Sequence, residues 1–320
     1  MPVNIPLPES KEYPTSEWLN GLIDLHMYNL PCIFERTFDT IELARMCRDA
    51  GYRAIVLKNH FYPTIEGAYL ARKMVPGIET YGSVVLNPPV GGLNPWAVDA
   101  AIWLGAKSIW FGNMYAGTLS EKPFRTQYGW GQMVPMDHKW VTRPTKRWML
   151  HKPINVIDLK TEELLPEVYD IIDIIAENDV ILDTCHISKK ECRILIPEAR
   201  KKGCKKIIIT HIPILPSSNP ESYWTIEEAK EIVKEGAILE HIAPVYVRLG
   251  TPKDIKFLAN FIKEVGADKC ELASDCGALI EMHPIESMRY FIVALLKEGI
   301  SPKEIETMTK KNPAKLLNLD

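Results

Sequence analysis

The sequence lacks the features that would place it in a disulfide-rich, secreted or membrane class. Its seven cysteines include no C-x-x-C pair and form an odd count, which indicates reduced thiols and a cytoplasmic protein. The start, Met-Pro-Val-Asn-Ile-Pro-Leu-Pro, has no basic segment followed by an apolar one and is too proline-rich for a signal peptide. No run approaches the ~18 apolar residues of a spanning helix. We therefore expect no membrane partner.

The chain also lacks a strong charge of either sign. The formal net charge of -3 comes from 38 basic and 41 acidic residues spread along the sequence, so neither a nucleic acid nor an anionic membrane is indicated as a partner. The glycines between residues 87 and 94 lack the G-x-G-x-x-G pattern of a dinucleotide site. With 320 residues and 46% hydrophobic content, the chain can build a large core. Because no nucleic-acid, membrane or dinucleotide partner is indicated, we expect a small-molecule substrate.

Eight short apolar runs predict β-strands, and amphipathic stretches with helix caps lie between them. Strand starts recur at intervals of roughly 25 to 35 residues, as expected for successive βα units. The pattern predicts an α/β fold, a (β/α)8 TIM barrel formed by one domain over residues 1–320. The predicted strands are 21–25, 53–57, 80–86, 107–111, 179–184, 205–210, 236–240 and 270–274.

One interval is too long, because more than 70 residues separate the fourth strand from the fifth. The loop after strand four therefore carries an insertion, roughly residues 112–160, rich in aromatic and basic residues. It is interpreted either as a lid over the barrel mouth or as a subunit contact of a homo-oligomer, since aromatics and Arg are enriched at interfaces. After strand eight, two further helices are predicted at 284–298 and 301–311, the second ending before Asn312-Pro313.

Functional side chains recur where the predicted strands end. Strand one ends with Asp24 and His26, which period-two alternation sends to the same side of the strand. Because the strand ends of such a barrel meet at one mouth, we expect these side chains to converge there. Six of the eight histidines lie at or just beyond a strand end: His26, His60, His186, His211, His241 and His283.

Imidazoles and carboxylates gathered in one partly buried mouth suit a divalent transition metal. Zn²⁺ is the expected ion, with Mn²⁺ and iron as alternatives, and water would fill an open position. A single histidine at a strand end is more often a packed residue than a ligand. The metal hypothesis depends on the number of such residues.

The order of these residues resembles the amidohydrolase superfamily of metal-dependent barrel hydrolases: Asp-x-His on strand one, His on strands five and six, and Asp on strand eight. The resemblance covers most of residues 20–318 and implies His26, His186 and His211 as metal ligands. It further implies Asp275 as a ligand or as the base that takes a proton from the activated water. Four strings are similar to a poorly characterised group of metal-dependent hydrolases: Leu57-Lys-Asn-His-Phe-Tyr-Pro-Thr64, Val90-Gly-Gly-Leu-Asn-Pro95, Thr184-Cys-His-Ile-Ser188 and Asn312-Pro-Ala-Lys-Leu-Leu317.

The chain departs from the superfamily pattern at two strands. Members usually carry H-x-H on strand one, where this chain has Asp24, which can still ligate through oxygen. Many binuclear members place a carboxylated Lys or a Glu at the end of strand four, where this chain has Trp110-Phe-Gly-Asn113. Lys58 and His60 on strand two are the candidates to replace that bridge, with Lys58 alternatively a partner of a substrate carboxylate. The number of ions stays open between one and two.

The resemblance and the residues together imply hydrolysis of a small amide, cyclic amide, ester or lactone by metal-activated water. Asp275 is the expected proton shuttle, and Lys58 is the second catalytic candidate. Related barrels also catalyse decarboxylation or hydration. A phosphoesterase is another alternative, although the H-x-D-x-H-x-H opening of that family is absent around Asp24. A barrel that only binds a ligand is the alternative outside catalysis.

Overall fold

Eight parallel strands form one sheet in the order β1 to β8, with helices between them, so the predicted (β/α)8 barrel is confirmed. The computed structural model describes residues 15–32, 34, 36–112, 154–212, 223–247, 255–279 and 281–319. β1 extends further than the sequence suggested, which places His26 inside the strand. The strands are β1 (Ile23–Tyr28), β2 (Ala54–Lys58), β3 (Glu79–Val85), β4 (Ala106–Trp110), β5 (Ile181–Asp183), β6 (Ile207–Ile209), β7 (Ala237–Ile242) and β8 (Cys270–Ala273).

The helices begin largely where the sequence places caps. The Ser188–Glu191 and Thr225–Glu228 capping boxes both form, because each side chain satisfies a backbone N–H that a helix start leaves unpaired. The described α-helices are α1 (Thr15–Leu19), α2 (Thr40–Asp49), α3 (Ile65–Met74), α4 (Pro95–Trp103), α5 (Pro166–Asn178), α6 (Lys189–Lys201), α7 (Ile226–Ile232), α8 (Ala243–Val247), α9 (Ile255–Val265), α10 (Pro284–Lys297), α11 (Pro302–Glu306) and α12 (Asn312–Leu317).

The barrel closes between β8 and β1 through backbone groups at the mouth. The N–H of Asp275 donates to the carbonyl of His26 at 2.9 Å, and the N–H of Tyr28 donates to the carbonyl of Cys276 at 3.0 Å. The carboxylate of Asp24 accepts the N–H of Ser274 at 3.2 Å. This seam fixes Asp275 beside His26.

Two apolar layers lie on the two faces of the sheet. The larger one fills the space between the strands and the helices. The smaller one fills the barrel interior at the N-terminal end of the strands, where it includes Ile23, Val56 and Ile208. Residues of α12, among them Ala314 and Leu317, pack against this inner layer. The inner layer closes the base, so polar side chains inside the barrel lie nearer the mouth.

The end of the last helical region differs from the prediction. The stop expected at Asn312-Pro313 does not occur. Instead, α11 is followed by a π-helical turn at Thr307–Lys311 and then by α12. Pro313 lies in the first turn of α12, where a proline removes no needed hydrogen bond. The wide turn therefore lets the chain continue across the base of the barrel.

Most of the predicted insertion, 112–160, lies outside the described residues. Its interpretation as a lid or a subunit contact therefore stays a prediction. Its last part runs from Ile154 and includes a short antiparallel bridge between Ile157 and Leu164. Within the described ranges, no helix has the length and apolar character needed to cross a bilayer.

Candidate metal centre

His26 stands at the centre of the barrel mouth and contacts a polar group with each ring nitrogen. Its Nδ1 lies 3.0 Å from Oε1 of Glu240, and its Nε2 lies 2.8 Å from Oδ1 of Asp275. Both His26 and Glu240 are fully buried. The Glu240 carboxylate also accepts the backbone N–H of His211 at 2.6 Å. β7 therefore links the residue on β1 to the one that follows β6.

The charges in this group stabilise one another. Burial by itself lowers the pKa of His26, but the carboxylates of Asp275 and Glu240 outweigh it and raise the pKa to about 9. Burial would raise the pKa of Asp275, but His26 and His211 hold it far below its usual value. Without another ligand, His26 is a cation and Asp275 an anion at neutral pH. A proton thus occupies the space between Nε2 and the Asp275 carboxylate.

His186 and His211 follow β5 and β6 and lie side by side. Their ring centroids are 4.3 Å apart, and the ring of His211 lies 6.1 Å from that of His26. Burial is the main cause that lowers the pKa of each below 6.5. Both rings are therefore neutral at pH 7, which is the form that binds a metal.

The backbone at these strand ends adopts conformations that L-residues avoid. Cys185, His211 and Asp275 have φ angles of 52°, 31° and 47°. Such left-handed conformations cost energy in non-glycine residues and concentrate at functional sites. Three such residues around one mouth indicate that the side chains there are held in position at the cost of backbone strain.

Lys58 reaches the same mouth from β2, as expected from the sequence. Its Nζ lies 3.0 Å from Nε2 of His26, 3.5 Å from Sγ of Cys185 and 3.8 Å from the centroid of the Trp110 ring. Lys58 is fully buried, and no carboxylate pairs with it in the described part of the chain. Strand four contributes Trp110 to the mouth, an aromatic face in place of a bridging ligand. The Lys58 side chain thus lies buried over the Trp110 ring and beside His26, without a carboxylate at ion-pair distance among the described residues.

His60 lies in an aromatic part of the mouth. Its ring packs 4.8 Å from Tyr28 and 6.0 Å from Phe61, and burial lowers its pKa well below 6.5. His60 is therefore neutral at pH 7. Its role as a metal ligand stays a prediction.

Asp24 has a different place from the one that alternation suggested. In the register, Asp24 pairs with Ile55 and Met27 with Leu57, so three steps along β1 match two along β2. Ile55 and Leu57 both belong to the outer apolar layer. This bulge separates Asp24 from His26, and the expectation that they share one side is wrong. The Asp24 carboxylate instead accepts backbone N–H groups at the seam, including that of His26.

Two of the six strand-end histidines do not face the mouth interior. His241 packs against Phe261 of α9, with ring centroids 5.6 Å apart, because Glu240 takes the inward position on β7. The His283 ring packs against Phe38 at 5.2 Å, and the residue occupies the N-cap position of α10 without a side-chain capping bond. The expected convergence therefore holds for His26, His60, His186 and His211. Sequence reasoning left Glu240 without a role and missed Tyr28, although a lone charge within Ala237–Ile242 was a usable signal for the former.

The donors in the mouth fit a divalent metal in kind. Imidazole nitrogen and carboxylate oxygen are the ligands that Zn²⁺ and Mn²⁺ take, and His26, His186, His211 and Asp275 supply both. In the described residues, however, no three His, Cys, Asp or Glu side chains already stand in a ligating arrangement. His26 and Asp275 instead contact each other directly, with Lys58 beside them.

Comparison with protein families and curated proteins gives one match. A model described as a family of unknown function, DUF6282, matches residues 21–240. No curated protein matches.

Solved structures of similar fold include an amidohydrolase, dipeptidases and dihydroxybenzoate decarboxylases, and at 11–14% identity they show that this chain shares their fold. An amidohydrolase from Pseudomonas aeruginosa superposes with a TM-score of 0.59 at 11% identity, covering 95% of this chain and 98% of that one. A probable dipeptidase from the same organism gives 0.59 at 12%, with 95% and 96% covered. A dihydroxybenzoic acid decarboxylase from Polaromonas sp. JS666 with bound manganese gives 0.53 at 12%, with 94% and 97% covered.

Proposed function

Because the chain belongs to the DUF6282 family and has the fold of amidohydrolase-superfamily barrels, we propose that it is a metal-dependent hydrolase. Its substrate would be a small amide, cyclic amide, ester or lactone. The observation that carries the proposal is the convergence of His26, His186, His211 and Asp275 on one mouth with Lys58 beside them.

His186, His211, His26 and Asp275 would hold the ion, Zn²⁺ by preference and Mn²⁺ or iron as alternatives. When bound, a divalent ion supplies Lewis-acid activation of water and polarises the substrate carbonyl. Glu240 fixes the His26 ring by accepting from Nδ1, which leaves Nε2 facing the mouth. A carboxylate partner of this type orients a ligating imidazole and increases its basicity. The ligand role of His60 and the number of ions stay part of the proposal.

Asp275 is the residue proposed to move the proton. It is 19% exposed, while its partner His26 is fully buried, so it alone of the pair can meet incoming water. As a carboxylate it can accept a proton from the attacking water and return it to the leaving group. The seam hydrogen bond from its own N–H to the His26 carbonyl keeps it in reach.

Lys58 and Trp110 line the mouth beside His26. The Lys58 ammonium is positioned to bind a substrate oxygen that gains negative charge during reaction, because no carboxylate of the described residues lies within ion-pair distance of it. Trp110 is 1% exposed and excludes water around that charge, which strengthens the interaction. A carbamylated Lys58 bridging two ions is the alternative role.

The first test is metal content. His186→Ala and His211→Ala should each lose most bound metal, because each removes one of two adjacent imidazoles. His283→Ala, which removes a histidine packed on Phe38, should keep it. Elemental analysis of the purified proteins gives the answer. Full metal in both first variants sinks the ligand assignment, and a wild type without stoichiometric metal favours a barrel that only binds a ligand.

The second test is a substrate screen on metal-reconstituted protein, using lactones, cyclic amides, phosphate esters and aromatic carboxylates. Hydrolysis of the first two classes supports the proposal, and turnover of phosphate esters assigns a phosphoesterase. Decarboxylation is the second candidate reaction, favoured by Lys58, since a buried cation beside the substrate stabilises the carbanion left when CO₂ departs. Turnover of aromatic carboxylates alone would assign that chemistry instead.

A further inference from the structure

Arg36 is a buried arginine near the mouth that the proposed reaction does not use. It lies between β1 and α2 and forms a short antiparallel bridge with Ala278. The side chain is 6% exposed. Its Cζ lies 4.1 Å from the centroid of the Tyr28 ring. The guanidinium therefore stacks on an aromatic face at the rim of the barrel.

Among the described residues, no carboxylate forms an ion pair or a hydrogen bond with the Nε or Nη2 atom of this guanidinium. Its Nε and Nη2 are shielded from solvent and make no hydrogen bond within the part of the chain that the structure describes. Glu281 is a carboxyl that influences it electrostatically, but it accepts the N–H groups of Gly277 and Ala278. Burial also raises the pKa of Glu281 to about 7, which weakens it as a counter-ion. A buried charge without a partner destabilises the fold, and stacking on Tyr28 offsets only part of that cost.

Arg36 is separated from the proposed reaction centre by a single ring. The Tyr28 ring that carries the guanidinium packs 5.4 Å from the His26 ring and 4.8 Å from the His60 ring. The Tyr28 hydroxyl lies 3.4 Å from Nε2 of His26. A ligand group held by Arg36 would thus lie beside, and not upon, the atoms that react.

We infer that Arg36 binds a carboxylate of the substrate at a point remote from the scissile bond. The inference rests on the proposed function for the identity of the reacting bond, but the anion site stands on Arg36 alone. A guanidinium presents two parallel N–H groups that match a carboxylate. The one guanidinium stacked on the uncharged Tyr28 ring supplies a single positive charge, so the site balances one negative charge. A monoanionic carboxylate fits better than a phosphate dianion.

The test is anion binding to the full-length protein, measured by calorimetry with benzoate, acetate and inorganic phosphate. The variants are Arg36→Met, which removes the charge at similar length, and Arg36→Lys, which keeps the charge and loses the fork. Arg193→Met is the matched control, because Arg193 also lies over an aromatic ring, that of Trp224 at 5.7 Å, but pairs with Glu228 on the outer surface. Each protein is measured both as purified and loaded with Zn²⁺.

Arg36→Met should weaken carboxylate binding at least about 10-fold, the loss expected when a charge-assisted hydrogen-bonded pair disappears. Arg36→Lys should fall between wild type and Arg36→Met, and it carries the test if the methionine variant fails to fold. Arg193→Met should bind as wild type does. Unchanged carboxylate affinity in both Arg36 variants overturns the inference, and so does a wild type that binds phosphate but neither carboxylate.

Measuring the metal content tests the proposed hydrolase function separately from the carboxylate site at Arg36. If the wild type holds no stoichiometric metal, the proposed hydrolase fails. Loss of benzoate binding on Arg36→Met in the same metal-free sample would still support the anion site. If metal is present and benzoate binding is unaffected by the variants, the carboxylate assignment alone fails.

Discussion

His26 makes a contact with a carboxylate through each ring nitrogen, and the two carboxylates differ in exposure. Glu240 is fully buried and bonds the His26 ring and the backbone N–H of His211, so it holds a position. Asp275 is partly open to the mouth, so it can exchange a proton with solvent or substrate. Under the proposed function, Glu240 would anchor the His26 ring and Asp275 would transfer the proton.

Replacing Asp275 with Asn tests that division. The amide is the same size and can accept a hydrogen bond, but it cannot act as a base. Asp275→Asn should therefore keep the fold and part of the metal while kcat falls by roughly 10²–10⁴. Steady-state kinetics and metal analysis on one preparation give both values. Unchanged turnover removes Asp275 from the mechanism.

Asp183 predicts a pH dependence of stability. It is buried inside the barrel, hydrogen-bonded to Ser108, and burial raises its pKa from 3.8 to about 7. The folded state then binds this proton more tightly than the unfolded chain does. The stability that Asp183 contributes is fully present below about pH 4 and is lost as the pH rises through about 7.

Asp183→Asn places a permanently neutral group in the same space. The free energy of unfolding of this variant should fall less than that of the wild type between about pH 5 and pH 7.5. Denaturant unfolding of both proteins at several pH values measures the difference between their free energies of unfolding. The contributions of the other titrating groups cancel in that difference. Parallel curves for the two proteins would contradict the assignment.

At the residue scale, the sequence predicts the side chains whose position follows from a strand end. It does not predict those whose position is set by residues distant in the sequence. His186, His211 and Asp275 could be located because each follows an apolar run directly. Asp24 could not, because a bulge in β1 leaves no trace in the pattern of apolar residues. Arg36 could not either, since nothing local distinguishes a buried unpaired arginine from an exposed one.

At the scale of elements, the contact between β3 and α3 depends on one residue without a side chain. A Cβ on Gly82 would lie 2.4 Å from Cα and 2.6 Å from N of Ile65, in the first turn of α3. Backbone atoms on both elements cannot move apart as a flexible side chain can. The start of α3, and with it the loop that carries His60, is therefore set by Gly82.

Gly82→Ala should lower the free energy of unfolding by about 2 kcal/mol or more, the range seen for overpacked sites. Gly67→Ala, on α3 itself, is the contrasting variant, because its Cβ would meet only the side chain of Thr40, at 3.1 Å. There the gain in helix propensity of about 1 kcal/mol works against the tight contact. Thermal unfolding should give a lower melting temperature for Gly82→Ala than for Gly67→Ala. Equal melting temperatures would contradict the backbone clash at Gly82 as the cause.

The strand order, the helix caps and the barrel itself were predictable from the sequence, since each follows from local periodicity and capping residues. The final helical region was not. Pro313 indicated that the helix stops. The packing of α12 on the inner apolar layer offsets the cost of the π-helical turn at Thr307–Lys311, so the helix continues. Tertiary burial outweighs the local signal there.

At the scale of the whole molecule, α4 exposes an apolar stripe. Trp96 and Trp103 are 83% and 84% exposed, and Leu104 beside them is 71% exposed. The neighbouring helix α3 adds Leu70 and Met74. Together these side chains offer on the order of 600 Å², near the ~800 Å² that each partner buries in a standard interface. We propose that a second copy of the chain covers this stripe.

Trp96→Glu combined with Trp103→Glu should then shift the protein toward the monomer. Sedimentation or light scattering across a concentration series measures the shift. Tyr290→Glu changes an exposed aromatic on α10 and should leave association unchanged. A wild type that is monomeric at all concentrations would contradict the proposal.

The packing of α12 against the base of the barrel also constrains how the protein is made. Ribosomes add residues from the N-terminus at about 5–20 per second, so all eight strands leave the ribosome before Ala314 and Leu317 are available. Until then the inner apolar layer is open at its base. The nascent barrel therefore passes through a stage in which the apolar base is exposed, and release of the last turns is the step that ends that exposure.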